Sequence, residues 1–304
     1  MAHDQLYTGL LVQAEEIEAA GLDSMWVSEH HFAEDGYMAS VLPIAAALLA
    51  RTRRITVATD RLAASLYDPV RLAEDAIALD LLSRGRFVLG LSLCYRDEEF
   101  EGLGVDRRMD EAGLERAARQ LRDAFAGRQV RDADVTPPPF AKGGPRLMIA
   151  ADGEHGATHA ATLADMLMVD PTEPWTVVDT AVAAFDAARG DSTGEVVLFT
   201  YGGLSTSGRE AAWAEVADGF RYMRHNYDRW MGRAETQVLP PAHYRLLAGT
   251  PVEVAEQAAE YTRRYGDRVH LVLRCNYPGM PADAVSNQIR LWGQAAAEAR
   301  TQRG

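Results

Sequence analysis

The sequence predicts an α/β fold in which parallel strands alternate with helices. Strand-like and helical stretches alternate along the whole chain, and the alternation resumes in the same style after each long connector. The 304 residues, 47% of them hydrophobic, can also bury a large core. We therefore expect one domain over residues 1–304, with long connectors at 127–145 and 231–249.

Short runs rich in β-branched or apolar residues are predicted to be strands. They lie at 22–28, 54–59, 86–93, 146–151, 166–170, 195–201 and 268–274. Longer stretches with helical periodicity lie before, between and after them. The predicted helices are at 6–20, 39–51, 69–83, 108–126, 154–164, 174–189, 209–230, 251–265 and 281–300.

Two helix starts have a clear chemical cause. Asp68 precedes Pro69, which matches a capping residue followed by proline at the first helical position. Thr250 precedes Pro251 in the same way, and Glu253 follows in the first turn. These signals predict the starts of the helices at 69–83 and 251–265.

The first predicted helix bears on the choice between two parallel architectures. It precedes the first strand, whereas each helix of a (β/α)8 barrel follows one, and residues 1–5 lack strand character. The predicted strands plus one absent at the front make eight. We expect a (β/α)8 TIM barrel whose first strand is missing from this chain, with an open sheet as the alternative.

The composition argues against several classes of protein. The net charge is −13 and the arginines are scattered or lie beside acids, so no basic stripe is available for nucleic acid. The longest apolar runs are too short to span a membrane, and the N-terminus does not resemble a signal peptide. Cys94 and Cys275 lie far apart in sequence, which favours a reducing compartment. We expect a cytoplasmic protein that acts on a small molecule.

Ionisable residues follow four consecutive predicted strands. Because the carboxyl ends of parallel strands lie at one edge of the sheet, where ligands bind, these residues are candidates for a site. They are Glu29, His30, His31, Asp60, Arg61, Arg96, Asp97, Glu98, Glu99, Asp152, Glu154 and His155.

His30 and His31 allow three interpretations. They can order a loop by pairing with a carboxylate such as Glu29, or transfer protons near neutral pH. Adjacent histidines at a strand end point to opposite sides, and no metal-ligand spacing completes a site, so we expect no metal. The glycines at 152–156 allow backbone amides to approach a phosphate at a helix start, although an ordinary turn is the alternative.

The chain resembles the luciferase-like flavin monooxygenases, the family of bacterial luciferase. Order and spacing agree over about residues 6–298. The matching segments are GLDSMWVSEHHF at 21–32, DPVRLAED at 68–75, LDLLSRGRF at 79–87, YRDEEF at 95–100, GVD at 104–106 and GTPVEVA at 249–255.

The resemblance implies a (β/α)8 barrel that binds FMN, or less often a deazaflavin coenzyme, at the carboxyl ends of its strands. It implies that His30 acts catalytically next to the flavin and that His31 supports cofactor binding. The remaining cofactor contacts that it implies are Thr59 and Asp60 along the ring, Ser92 and Tyr95 beside it, and Asp152, Gly153 and Gly156 around the ribityl chain and phosphate.

The sequence leaves three functions open. The first is an FMN-dependent monooxygenase that takes reduced flavin from a separate reductase and uses O2 to oxygenate a small organic substrate. This fits a loosely held flavin, because Leu93 stands where bacterial luciferase has a phosphate-contacting arginine. The second is hydride transfer with a deazaflavin coenzyme, and the third is a non-catalytic flavin-binding or partner subunit. The resemblance also implies a homodimer.

Overall fold

The computed structural model describes residues 3–107, 110–151, 153–170, 174–233 and 246–302, and strands alternate with helices along them. The strands are β1 (Ser24–Ser28), β2 (Thr56–Asp60), β3 (Leu62–Ala63), β4 (Phe87–Ser92), β5 (Arg146–Ala150), β6 (Met166–Val169), β7 (Glu195–Leu204), β8 (Leu247–Gly249) and β9 (Val269–Arg274). The helices are α1 (His3–Ala19), α2 (Val41–Arg51), α3 (Pro69–Ser83), α4 (Asp97–Leu103), α5 (Asp110–Phe125), α6 (Glu154–Leu163), α7 (Trp175–Arg189), α8 (Arg209–Trp230), α9 (Pro251–Tyr265) and α10 (Ala282–Thr301).

The chain divides into two compact units, of which the first comprises Ser24–Met168 and Trp175–Glu195. Its strands are parallel and run in the order β1-β2-β4-β5-β6, with β3 also beside β4. Every residue of β4 is buried, which is typical of a parallel strand covered on both faces. The candidate residues after β1, β2, β4 and β5 that the structure describes therefore lie at one edge of this sheet.

A β-bulge lies at the carboxyl end of β2. Ala58 pairs with Val88, whereas Leu62 pairs with Leu91, so one extra residue stands opposite β4. Arg61 lies at this bulge and has a φ of 59°, a positive value that is uncommon for residues other than glycine. The bulge redirects the chain directly after Asp60, next to the loops that carry the candidate residues.

The second unit comprises Met1–Asp23, Val169–Pro174 and Val196–Gly304. β8 and β9 both pair in parallel with β7. Beyond the last β9 pair, side chains complete the hydrogen bonding of β7. The Tyr277 hydroxyl bonds both backbone groups of Gly202, and the Gln288 amide bonds both backbone groups of Leu204. Tyr277 and Gln288 thus provide hydrogen bonds that a longer neighbouring strand would otherwise give to β7.

Replacing Gln288 by leucine is expected to lower the free energy of unfolding by roughly 2–4 kcal/mol, because the buried N–H and C=O of Leu204 lose their partners. Urea unfolding of the full chain measures the effect. Asn287→Ala is the matched control at the neighbouring, half-buried position of α10, with an expected change below about 0.5 kcal/mol. Equal stability of Gln288→Leu and wild type would show that these bonds contribute nothing.

The predicted strands and both predicted helix starts are present. Asp68 accepts hydrogen bonds from two N–H groups of α3, and Thr250 and Glu253 form a complete capping box on α9. α1 begins at His3 and no strand precedes it among the described residues. None of the helices described is both long and apolar enough to cross a membrane.

Two segments differ from the predicted connectors and loops. α4 forms in the stretch between β4 and α5, where no helix is predicted, and its first turn is acidic, which the helix macrodipole favours. Residues 247–249 at the end of the predicted connector at 231–249 form β8, while residues 234–245 lie outside the described part. The connector at 127–145 contains one isolated bridge, between Val130 and Ala133.

Candidate active site

His30 lies two residues beyond the end of β1 and is 8% exposed. Its backbone N–H donates to the carbonyl of Met38 over 3.0 Å, so the intervening loop closes back on the histidine. β1 itself is fixed against β2, where Ser28 pairs with Asp60 and donates its hydroxyl to the Asp60 carboxylate over 2.9 Å. The strand and the loop together hold His30 at the carboxyl edge of the sheet.

Glu99 lies in the first turn of α4, and its carboxylate accepts hydrogen bonds from several groups of the site. Its Oε1 accepts from Nδ1 of His30 at 3.1 Å, from the backbone N–H of His31 at 2.9 Å and from Arg96 at 3.1 Å. Its Oε2 accepts from the Cys94 thiol at 3.1 Å. Since Glu99 and Arg96 are both buried, the carboxylate joins the loop after β1 to the loop after β4 through charge-assisted bonds.

These bonds keep Glu99 ionised. Burial alone raises the pKa of this carboxyl group, but hydrogen bonds from His30, Cys94 and the His31 backbone outweigh burial and hold the pKa at about 2. An ionised carboxylate only accepts hydrogen bonds, so Nδ1 of His30 carries a hydrogen. Nε2 is then the nitrogen that presents a lone pair when the imidazole is neutral.

Tyr95 faces that second nitrogen of His30. The Tyr95 hydroxyl and Nε2 are 3.1 Å apart, and burial raises the pKa of the phenol, so Tyr95 stays protonated and donates. The rings of Tyr37 and Tyr95 stand edge-on to the imidazole, with centroids at 4.9 and 5.5 Å. The structure therefore aligns Tyr95, His30 and Glu99 in one continuous chain of hydrogen bonds.

His31 belongs to a second, separate pair with Glu29. Its Nε2 lies 3.5 Å from the Glu29 carboxylate, and this nearby carboxylate raises the pKa of His31 above its usual value. Glu29 also accepts from the Tyr67 hydroxyl and, at 3.0 Å, from the backbone of Ala63 in β3. The adjacent histidines thus point to different carboxylates, as expected for consecutive residues at a strand end.

Thr59, Asp60 and Ser92 bond mainly to the protein itself. Thr59 is fully buried, and its hydroxyl bridges the N–H and C=O of Gly90, where a Cβ would lie 2.1 Å from the Thr59 carbonyl. Ser92 donates to the carbonyl of Arg61 over 3.0 Å, beside the bulge. Through these bonds Thr59 joins the end of β2 to β4. Because no part of Thr59 is exposed, the structure does not support a direct contact of Thr59 with a cofactor.

Gly153 and Gly156 lie at the start of α6, directly after β5. Gly153 has a positive φ of 96°, and the space where its Cβ would stand is open, so a ligand can approach the first amides of the helix. Asp152 lies outside the described residues. Among the residues described, no group of three or more His, Cys, Asp or Glu side chains is arranged to hold a metal ion.

The Glu99 pKa predicts how stability depends on acidity. Because the folded-state pKa of about 2 lies below the ordinary value of 4.5, ionised Glu99 stabilises the fold above about pH 4.5, and this contribution is lost as the pH falls towards 2. The contribution of ionised Glu99 to the free energy of unfolding amounts to roughly 3 kcal/mol. Urea unfolding between about pH 6 and pH 3 should show a flatter acid dependence for Glu99→Gln than for the exposed control Glu101→Gln. Identical slopes would contradict this assignment.

Known proteins resemble this chain in sequence and in fold. The sequence model of the family described as luciferase-like monooxygenase matches residues 3–268. The beta chain of alkanal monooxygenase from Photorhabdus laumondii is 29% identical over 156 residues, which make up 48% of this chain and 48% of that protein. The chain thus matches about half the length of such curated relatives.

Solved structures share the fold over nearly the whole chain. Monooxygenase RslO1 from Streptomyces bottropensis superimposes with a TM-score of 0.85 at 21% identity, covering 98% of this chain and 94% of that one. An F420-dependent secondary alcohol dehydrogenase, solved with an F420-acetone adduct, gives 0.78 at 15% identity, with 97% and 95% covered. The oxygenating constituent of 3,6-diketocamphane monooxygenase from Pseudomonas putida, in complex with FMN, gives 0.76 at 13% identity, with 96% and 92% covered.

These matches confirm the α/β fold of the barrel type that the alternation of strands and helices predicts. The resemblance stated from the segments around His30 and Tyr95 is confirmed as well, since the family match spans most of the chain. The chain belongs to the luciferase-like monooxygenase family.

Proposed function

We propose that the protein is a flavin-dependent monooxygenase that uses reduced FMN and O2 to oxygenate a small organic substrate. The observation that carries the proposal is the chain of hydrogen bonds from the half-buried Tyr95 to the buried His30 and Glu99 at the carboxyl edge of the sheet. Such a chain holds and moves a proton in a water-poor site, which oxygenation chemistry requires. Membership of the family and the FMN complex of a structural neighbour support the same conclusion.

The residues present fit FMN. The start of α6 offers backbone amides beside the open space at Gly153, which suits a phosphate group. Tyr95 lies just beyond the end of β4, the neighbour of β5 in the sheet, within hydrogen-bond distance of His30. When bound, reduced FMN supplies the two electrons that activate O2. The first turn of α6 also carries Glu154, so we expect weaker flavin binding than at a site with a phosphate-binding arginine.

The protein side chains then have distinct tasks. Glu99 fixes the tautomer and orientation of His30, and Arg96 balances the charge of Glu99 inside the protein. His30 holds a proton or takes one up at Nε2. The burial of this group of side chains keeps bulk water away from the proton.

A deazaflavin coenzyme is the second candidate, favoured by the F420-dependent structural neighbour. Titrating the cofactor-free protein with reduced FMN and with reduced deazaflavin coenzyme separates the two, followed by oxygen-uptake assays with a panel of small organic substrates. Preferential binding of FMN with substrate-dependent oxygen uptake supports the proposal. Preferential binding of deazaflavin with hydride transfer and no oxygen uptake would overturn it in favour of a dehydrogenase.

Partners form a separate part of the proposal. We propose that a separate flavin reductase supplies the reduced FMN and that the chain forms a homodimer. Curated relatives are named as alpha and beta chains, which makes association of subunits the expected behaviour. Light scattering on the purified protein tests the dimer. A protein that binds flavin but turns over nothing without a second, related chain would instead support the partner-subunit alternative.

A further inference from the structure

We propose that Tyr95, rather than His30, is the catalytic residue that exchanges a proton with bound reactants, while His30 and Glu99 are positioning residues behind it. The inference rests on the proposed function and revises the role that the family resemblance gives to His30. It is carried by the direction of two hydrogen bonds, one at each ring nitrogen of His30, and by the exposure of the Tyr95 and His30 side chains.

Hydrogen bonds to the protein occupy both ring nitrogens of His30, so neither nitrogen is directly available to a reactant. Nδ1 donates to the ionised Glu99 at 3.1 Å, and Nε2 accepts from Tyr95 at 3.1 Å, so each ring nitrogen already has a protein partner. Tyr37 and Tyr95 stand edge-on to the ring. A reactant that touched Nε2 would first have to displace the Tyr95 hydroxyl.

Tyr95 has the opposite properties. It is half-buried, whereas His30 is buried, so Tyr95 is the more accessible end of the chain. A phenolic oxygen can donate one hydrogen bond and accept others at the same time. With its hydrogen directed at Nε2, the oxygen of Tyr95 still has lone pairs available for a bound acidic group.

The proton transfer balances without another reactant. A bound group gives its proton to the Tyr95 oxygen as the phenolic proton of Tyr95 passes to Nε2 of His30. Tyr95 remains neutral, and the imidazolium formed is paired with the Glu99 carboxylate. The reverse sequence returns the proton to the product. Burial raises the pKa of Tyr95 and disfavours a free phenolate, which makes coupling to His30 necessary.

Tyr95→Phe tests the proposal, because it keeps the ring and removes only the hydroxyl. Tyr222→Phe, at an exposed position of α8, is the matched control. In the cofactor-free full chain, nitrogen NMR of the histidine side chains should show a changed Nε2 signal of His30 in Tyr95→Phe alone. An unchanged Nε2 signal would overturn the hydrogen bond on which the inference depends.

Turnover with reduced FMN and O2 is the second readout. Tyr95→Phe should lose about 10²-fold or more in kcat with FMN affinity nearly unchanged. Difluorotyrosine at position 95, a more acidic phenol, should shift the pH profile of kcat, which a packing role would not do. Wild-type kcat in Tyr95→Phe would overturn the proposal. Lack of turnover by wild type would overturn the proposed function instead, and the NMR signal of Nε2 distinguishes that failure from this one.

Discussion

Replacing His30 by alanine is expected to lower turnover by about 10²- to 10⁴-fold, with a much smaller change in FMN affinity. The reason is that alanine removes both nitrogens at the centre of the chain between Tyr95 and Glu99, while the start of α6 at Gly153 is unaffected. Steady-state oxygen uptake gives turnover, and titration with reduced FMN gives affinity. The two values must be measured on the same preparation.

A matched control keeps this prediction specific. His225→Ala removes an exposed histidine on α8 and should leave turnover and FMN affinity at wild-type values. His30→Gln adds a second comparison, because glutamine retains hydrogen bonding but cannot carry the positive charge of imidazolium. Unchanged turnover in His30→Ala would exclude a role of this residue in proton transfer.

Replacing Glu99 by alanine is expected to have the largest effect on stability in this site. The variant leaves the buried Arg96 without its buried carboxylate partner and removes the acceptor for His30, His31 and Cys94. Breaking a buried ion pair from one side costs about 3–5 kcal/mol. Urea unfolding at neutral pH measures this change, and Glu101→Ala, on the exposed side of α4, is the control.

Glu99→Gln separates stability from catalysis. The amide retains one acceptor oxygen, so the fold should lose less stability than in Glu99→Ala. Turnover should still fall by about 10²-fold, because the negative charge that stabilises the His30 imidazolium is gone. A Glu99→Gln variant with wild-type turnover and a Glu99→Ala variant of wild-type stability would together contradict the account of this carboxylate.

Local signals along the chain predicted much of the fold. Alternating apolar runs and helical periodicity place the strands and the long helices, because these patterns reflect which faces the elements bury. The capping signals at Asp68 and Thr250 are confirmed because a cap depends on neighbouring residues alone. The short helix α4 was missed because an acidic stretch of seven residues has no clear periodicity.

The position of the site could be predicted from the sequence, but the hydrogen bonds within it could not. The polar strand ends place His30 at one edge of the sheet, the family resemblance adds Tyr95, and the structure brings the two side chains within 3.1 Å. Glu99 is one of the ionisable residues that follow the strands, but the sequence alone assigns it no role, since its partner His30 is 69 positions away. The Arg96-to-Glu99 spacing of three residues at a helix start was the signal that could have found it.

Other partners required three-dimensional information in the same way. Tyr67 reaches Glu29 from 38 positions away, and Tyr37 reaches His30 through the closed loop after β1. Thr59 looks like a contact at a strand end, but only the bulge and the close approach of Gly90 show that it is fully buried. Such distinctions depend on register between strands, which a single sequence does not specify.

The structure of the protein soaked with FMN tests the central claim most directly. We predict that the flavin ring lies against Tyr95 at the carboxyl ends of β1 and β4, and that the phosphate lies at the amides that begin α6 beside Gly153. An FMN molecule bound elsewhere, or a site that stays empty at saturating FMN while deazaflavin coenzyme binds, would contradict the account.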